Sequence, residues 1–243
     1  MPSCSSHRCQ DFLHRQFFPA LLLFLAAATA PAQSNTRSLQ GEPNHEIYFE
    51  TMIPVSQTRL IAAADGSDLF TAGVEYNAHF RRHIFLHYLN PLSVGFDFLG
   101  PLVHARVDWA PEFLPVAVLR EPAKTNFWGG NLSPNDKQYL YGIGLSPIGY
   151  RMVWRPSKNI KPFFDGRIGG IAFTQKALSP WASYANFTAQ ATIGVQTRIN
   201  TRMDLRIGAQ LFHFSNLYFA QSNPGLDVPA VNFGLSYHLP FRK

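Results

Sequence analysis

The segment Phe212–Val228 reads FHFSNLYFAQSNPGLDV. His213 and Ser215 stand two residues apart, Asn216 and Asn223 follow, and Asp227 closes the run. A serine hydroxyl is a weak nucleophile until a neighbouring base takes its proton. His213 is the one side chain here whose ordinary titration range suits that task near neutral pH. Asp227 is suited to fix the tautomer of His213 and to stabilise its imidazolium. The amides of Asn216 and Asn223 are donors of the kind that stabilise a developing oxyanion. Together these residue types point to ester hydrolysis. The competing reading is structural: a strand end reaching a polar boundary, with Asp227 a turn acid after Pro224-Gly225.

Choosing between the two readings requires the elements that position the residues. From Met203 to Leu211 the odd positions are Met, Leu, Ile, Ala and Leu, and the even ones are Asp204, Arg206, Gly208 and Gln210. Ala185–Thr197 and Pro229–Phe241 alternate in the same way. Sustained period-two alternation predicts strands with one apolar face. These strands are long for a soluble sheet and about long enough to cross a bilayer when tilted. A polar face carrying Asp204 and Arg206 suits the inside of a small barrel whose apolar face meets lipid. Tyr139–Arg155 adds a strand with a phase shift near Pro147–Gly149, and Pro162–Phe173 another. Upstream candidates are Leu69–Tyr76, His83–Tyr88 and Leu102–Trp109. The expectation is all-β: an eight-stranded antiparallel transmembrane β-barrel of the outer membrane.

Continuing the apolar face of the Met203 strand leads through Ala209 and Leu211 to His213 and Ser215. Residues two apart on a strand share a face, with Cα atoms roughly 6.5 Å apart. On the following strand the same face runs back from Val231 through Pro229 to Asp227. Ser215, His213 and Asp227 are thus expected together on the lipid-facing wall. The short turn Arg198–Arg202 marks the periplasmic side, and the longer Asn216–Asp227 connection the outer side. The site then lies at the height of the outer leaflet.

The N-terminus suggests how the chain would reach a membrane. Arg8, His14 and Arg15 precede the apolar run Phe17–Ala30, which ends in Ala30-Pro31-Ala32. This is the pattern of a secretory signal peptide spanning residues 1–32, with a mature domain over 33–243. No later run approaches the eighteen apolar residues of a spanning helix. Both cysteines, Cys4 and Cys9, fall in the leader, so no disulfide is expected in the mature chain. Without the leader, 19 basic and 14 acidic residues remain, a net charge of +5 against +6 for the whole chain. Aromatic content of 14% with charged content of only 15% suits a surface that meets something other than water. An exported chain has no access to nucleic acid, so none is expected as a partner.

HFSN followed by NPGLD at this spacing resembles the lipid A 3-O-deacylase family, the PagL type, which is similar to acyloxyacyl hydrolases. The resemblance extends through YGIGLSPIGYRMVWRP, KPFFDGRIGGIAFTQKAL and NFTAQATIGVQTRI and covers roughly Tyr139 to Phe241. It implies an eight-stranded outer-membrane barrel with its active site on the outside wall. The substrate implied is lipid A within lipopolysaccharide, amid outer-membrane lipids, with loss of an ester-linked acyl chain at the 3 position. The resemblance places the nucleophile on Ser215, the base on His213 and oxyanion donors on Asn216 and Asn223. The family's acid, usually Glu, falls on Asp227, one methylene shorter. No metal or organic cofactor is implied. A phospholipase or other lipid acyl-esterase of the same geometry, and an inactive structural barrel, remain open alternatives, as does a homodimer.

Two other features invite a reading. His79, His83 and His87 recur at intervals of four, without the cysteines or paired carboxylates of a metal site. Trp109, Trp128, Trp154, Trp181 and Tyr184 suit the aromatic girdles of a membrane barrel. The stretch EPNHEIYFE, Glu42–Glu50, is compatible with a plug, a first strand or a tail.

Overall fold

The computed structural model describes residues 45–55, 60–79 and 105–239. Nine strand segments occur among them: β1 (His45–Pro54), β2 (Asp68–His79), β3 (Ala105–Trp109), β4 (Glu112–Pro122), β5 (Lys137–Trp154), β6 (Ile160–Phe173), β7 (Ala185–Arg198), β8 (Met203–Ser215) and β9 (Leu226–His238). Each pairs antiparallel with its neighbours, and β1 pairs with both β2 and β9, which closes the sheet. Segments β3 and β4 both lie between β2 and β5. They are two halves of one stave, so the barrel has eight staves. The break falls at Ala110-Pro111. Ala110 N donates to Gly149 O at 2.8 Å, and Pro111 O accepts from Tyr76 N at 3.0 Å. Gly149 is required there because a Cβ would stand 2.0 Å from the carbonyl oxygen of Ala110.

The five C-terminal strands follow the alternation expected of them, with the register shift in β5 between Leu145 and Ile148. Strand β9 ends at His238, three residues short of the expected Phe241, and residues 240–243 lie outside the described part. Leu69–Tyr76 falls within β2, and β3 is the end of the Leu102–Trp109 candidate. The candidate His83–Tyr88 and the leader 1–32 lie outside the described residues. Of the three options for Glu42–Glu50, residues 45–50 take that of the first strand, β1.

The lumen explains the inward side chains. Arg206 Nη1 meets Glu75 at 2.8 Å and its Nη2 meets Glu46 at 2.9 Å. Arg151 bridges Glu46 at 3.0 Å and Asp108 at 2.6 Å. Arg167 joins Glu50, Glu112 and Glu75. Toward the outer end the filling becomes apolar: Met52, Leu69, Leu114, Leu119, Leu140, Phe173, Phe212 and Phe214 belong to one buried cluster. Outside, Phe49, Phe113, Tyr141, Ile143, Leu145, Ile168, Ile207, Val231 and Phe233 stay exposed, as a lipid-facing band does. The aromatic residues divide between the two ends. Tyr76 stacks on His45 and meets Trp109 edge-on, whereas Trp128, Trp181 and Tyr184 are exposed in the outer connections.

Buried charges that lose a partner are costly, because the remaining ion stays desolvated. Arg206→Met is therefore expected to lower unfolding stability in detergent by about 3–5 kcal/mol. Arg120→Ala removes a half-exposed partner of Asp68 at the rim and should cost no more than about 1 kcal/mol. Urea titrations of the refolded barrels check the contrast.

Candidate active site

Strands β7, β8 and β9 build the site on the outer wall. His213 lies directly across from Asp227 in the ladder, and Ser215 across from Phe187. The odd positions of β8 face outward, and Phe212 and Phe214 face the lumen between them. Alternation therefore delivers His213, Ser215 and Asp227 to one surface, as their spacing implied.

The His–Asp contact is formed. His213 Nδ1 and Asp227 Oδ1 are 2.7 Å apart, with the Asp227 side chain buried and that of His213 about one-fifth exposed. Asp227 Oδ2 accepts three further hydrogen bonds, from the backbone amides of Leu60 (2.8 Å), Ile61 (2.8 Å) and Ala62 (2.9 Å). Nothing in the sequence singles out these donors, since a backbone amide belongs to every residue type but proline. Gly225, at φ +59°, carries the chain into β9 close to the ring. A Cβ there would lie 3.5 Å from both Ala62 Cβ and His213 Cε1.

Ser215 is nearly buried beside His213. Among the described residues no hydrogen bond joins its hydroxyl to the ring. Catalytic hydrogen bonds are often open before substrate arrives, and a rotation about χ1 changes what the hydroxyl meets.

The two asparagines hold the turn beyond β8. Asn223 Oδ1 accepts from Asn216 N at 2.8 Å. Asn216 Nδ2 donates to Ser222 O at 2.7 Å, and its Oδ1 accepts from Tyr218 N at 3.0 Å. One hydrogen of Asn216 Nδ2 is thus committed to the loop. This turn contains two non-glycine residues at positive φ, Leu217 (50°) and Tyr218 (63°). Such residues are uncommon and persist where the surroundings hold them. They carry Phe219 back toward the wall, where its ring lies 5.7 Å from that of Phe187.

His79, from the histidine run, contacts Val107 O and Asp108 and takes part in the lumen network. His83 and His87 lie outside the described residues.

With this geometry in view, the family comparison is decisive. The profile of the lipid A 3-O-deacylase (PagL) family matches residues 109–236, just over half of the chain. The chain belongs to this family. The match starts at Trp109, some thirty residues before the region where the motifs alone were legible, and takes in β4. The chain is an eight-stranded β-barrel of the outer membrane from a lipid A deacylase family. Three solved structures are similar. The outer membrane enzyme PagL shares 12% identity over 80% of this chain and 99% of that one, with a TM-score of 0.44. Neisserial surface protein A (NspA) shares 11% over 82% and 100%, with a TM-score of 0.42. The outer membrane protein OprG from Pseudomonas aeruginosa shares 9% over 81% and 96%, also at 0.42. No curated protein matches the chain.

Gly225→Val is expected to disturb the site more than the fold. The residue would be held in the left-handed region at a cost of about 1–2 kcal/mol. The branches beyond its Cβ would press on Ala62 and the His213 ring. A modest loss in the unfolding midpoint with a displaced His213 ring resonance in NMR spectra is the expected result.

Proposed function

We propose that this barrel hydrolyses an ester-linked acyl chain of lipid A, the one at the 3 position, by a Ser-His-Asp mechanism on its outer wall. The observation that carries the reading is the outward-facing pair His213–Asp227, 2.7 Å apart and adjoining Ser215, in a chain of this family. A lipid in the outer leaflet meets the wall at the height of that pair.

In the first step Ser215 Oγ attacks the ester carbonyl carbon as its proton passes to His213 Nε2. The Nδ1–H of His213 donates to Asp227 Oδ1, which balances the imidazolium charge as it forms. The carbonyl oxygen becomes an oxyanion, and Asn216 Nδ2 and Asn223 Nδ2 are the donors suited to receive it. Collapse breaks the bond to the sugar oxygen, which leaves with the proton from His213. Water then attacks the acyl-serine, with His213 as base again, and the fatty acid is released. No step calls on a metal or an organic cofactor.

Asp227, though shorter than the Glu usual in the family, already reaches His213 from the opposite position of the ladder. This contact supports Asp227 as the partner of His213.

The test is a mass spectrum of lipid A from an outer-membrane-competent host expressing the chain, with phospholipids measured alongside. Loss of one hydroxyacyl mass is expected, with Ser215→Ala slower by at least about a thousandfold although folded. Hydrolysis of phospholipid with intact lipid A would transfer the mechanism to another ester, and unchanged lipids throughout would sink it. Asp227→Asn should lower kcat by about 10²–10⁴ through loss of the tautomer it enforces. Asp227→Glu is expected to lower kcat as well, because its extra methylene has to be fitted between His213 and the three amides.

A further inference from the structure

Asp227 is held mainly from outside the wall that carries it. Its Oδ1 faces His213, but its Oδ2 receives the amides of Leu60, Ile61 and Ala62, at least 165 residues away in sequence. Three successive amides directed at one oxygen form a compact anion cradle. The segment that presents them is itself anchored. Ala63 N donates to Pro224 O at 2.7 Å, Asp65 N to Gly129 O at 3.3 Å, and Asn131 N to Asp65 Oδ1 at 2.6 Å. The amides therefore come from a piece of the β1–β2 connection fastened to both the β8–β9 and the β4–β5 connections. An aspartate on a strand has more than one staggered χ1 available. Anchoring Oδ2 in the cradle selects the rotamer in which Oδ1 meets the imidazole.

We infer that Leu60–Ile61–Ala62 is a positioning segment of the active site, whose three amides hold Asp227 in the rotamer that engages His213. The kinetic consequence rests on the deacylase reading above; the structural consequence does not. The same residues leave apolar side chains uncovered, with Leu60 47% and Ile61 79% exposed. Their amides serve the dyad while their side chains offer lipid an apolar edge.

This division separates kcat from KM. Ile61→Pro removes the central donor and is expected to lower kcat about tenfold with little change in KM. Ile61→Ala keeps the amide and loses the apolar contact, so KM should rise by about two- to fivefold while kcat holds. In an Asp227→Ala background, Ile61→Pro should cost nothing more, because the amide no longer has a carboxylate to hold. The same tenfold loss in both backgrounds would mean that the segment acts through the fold, and would overturn the inference. A second measurement needs no activity. Amide hydrogen exchange at residues 60–62 should be slow in the unmodified protein and at least about tenfold faster in Asp227→Ala, with β8 unaffected. Unchanged protection would overturn the positioning role even in an active enzyme. Lost protection in a protein inert toward lipid A would uphold that role and sink the deacylase reading instead.

Discussion

Arg206 cannot be turned out of the lumen, and much of the structure follows from that. Its guanidinium is fully buried, bonded to Glu46 and Glu75, and lies 4.2 Å from the centre of the Tyr48 ring. A one-residue slip of β8 would face it to lipid, where a charge at mid-depth costs about 2–4 kcal/mol, and would take one partner from each of Glu46 and Glu75. The ladder that holds Arg206 opposite Gly234 also holds His213 opposite Asp227, seven residues further along. The outer-wall pair thus inherits its register from a lumen ion network that it never touches.

Between those two levels the lumen changes character. The even positions of β8 pass from Asp204, Arg206 and Gln210 to Phe212 and Phe214, which enter the apolar cluster at the outer end. The wall behind His213 and Ser215 is therefore backed by packed apolar side chains. Phe214 lies 5.6 Å from Phe173 across this filling. A close-packed backing limits the freedom of the strand and lowers the local dielectric, and both effects favour a well-aligned hydrogen bond between His213 and Asp227.

The same change of lumen decides what could be read from the sequence. Strands β6 to β9 announce themselves because apolar residues face lipid and polar ones mostly face the ion network. Strand β4 does not, because Leu114, Ala117 and Leu119 face the apolar end of the lumen while Phe113 and Val116 face outward. With apolar residues on both faces and a register shift between Leu114 and Ala117, its alternation is lost. Strand β1 is masked by the opposite circumstance. Glu46 and Glu50 point inward beside Tyr48 and Met52, and only the basic residues of distant strands make those positions intelligible. The site divides in the same manner. His213, Ser215 and Asp227 share a face by parity, which a sequence displays. The cradle of residues 60–62 depends on a connection folding across the barrel rim, and amides leave no trace in residue type.

The identity of the acid is best understood from both sides of it. Directly opposed residues of an antiparallel pair have Cα atoms about 4.5–5.5 Å apart, so a short carboxylate suffices to reach an imidazole across the ladder. A short side chain also keeps its second oxygen close to the backbone, within reach of a connection that passes over the strand end. In this chain that connection arrives with three amides in succession. The length of the acid and the path of the β1–β2 connection are thus complementary, and neither is informative without the other. An acid that had to span a wider gap would gain reach but lose the closeness that brings the amides onto it. The shortness of the Asp227 side chain is thus matched to how this barrel's rim is folded.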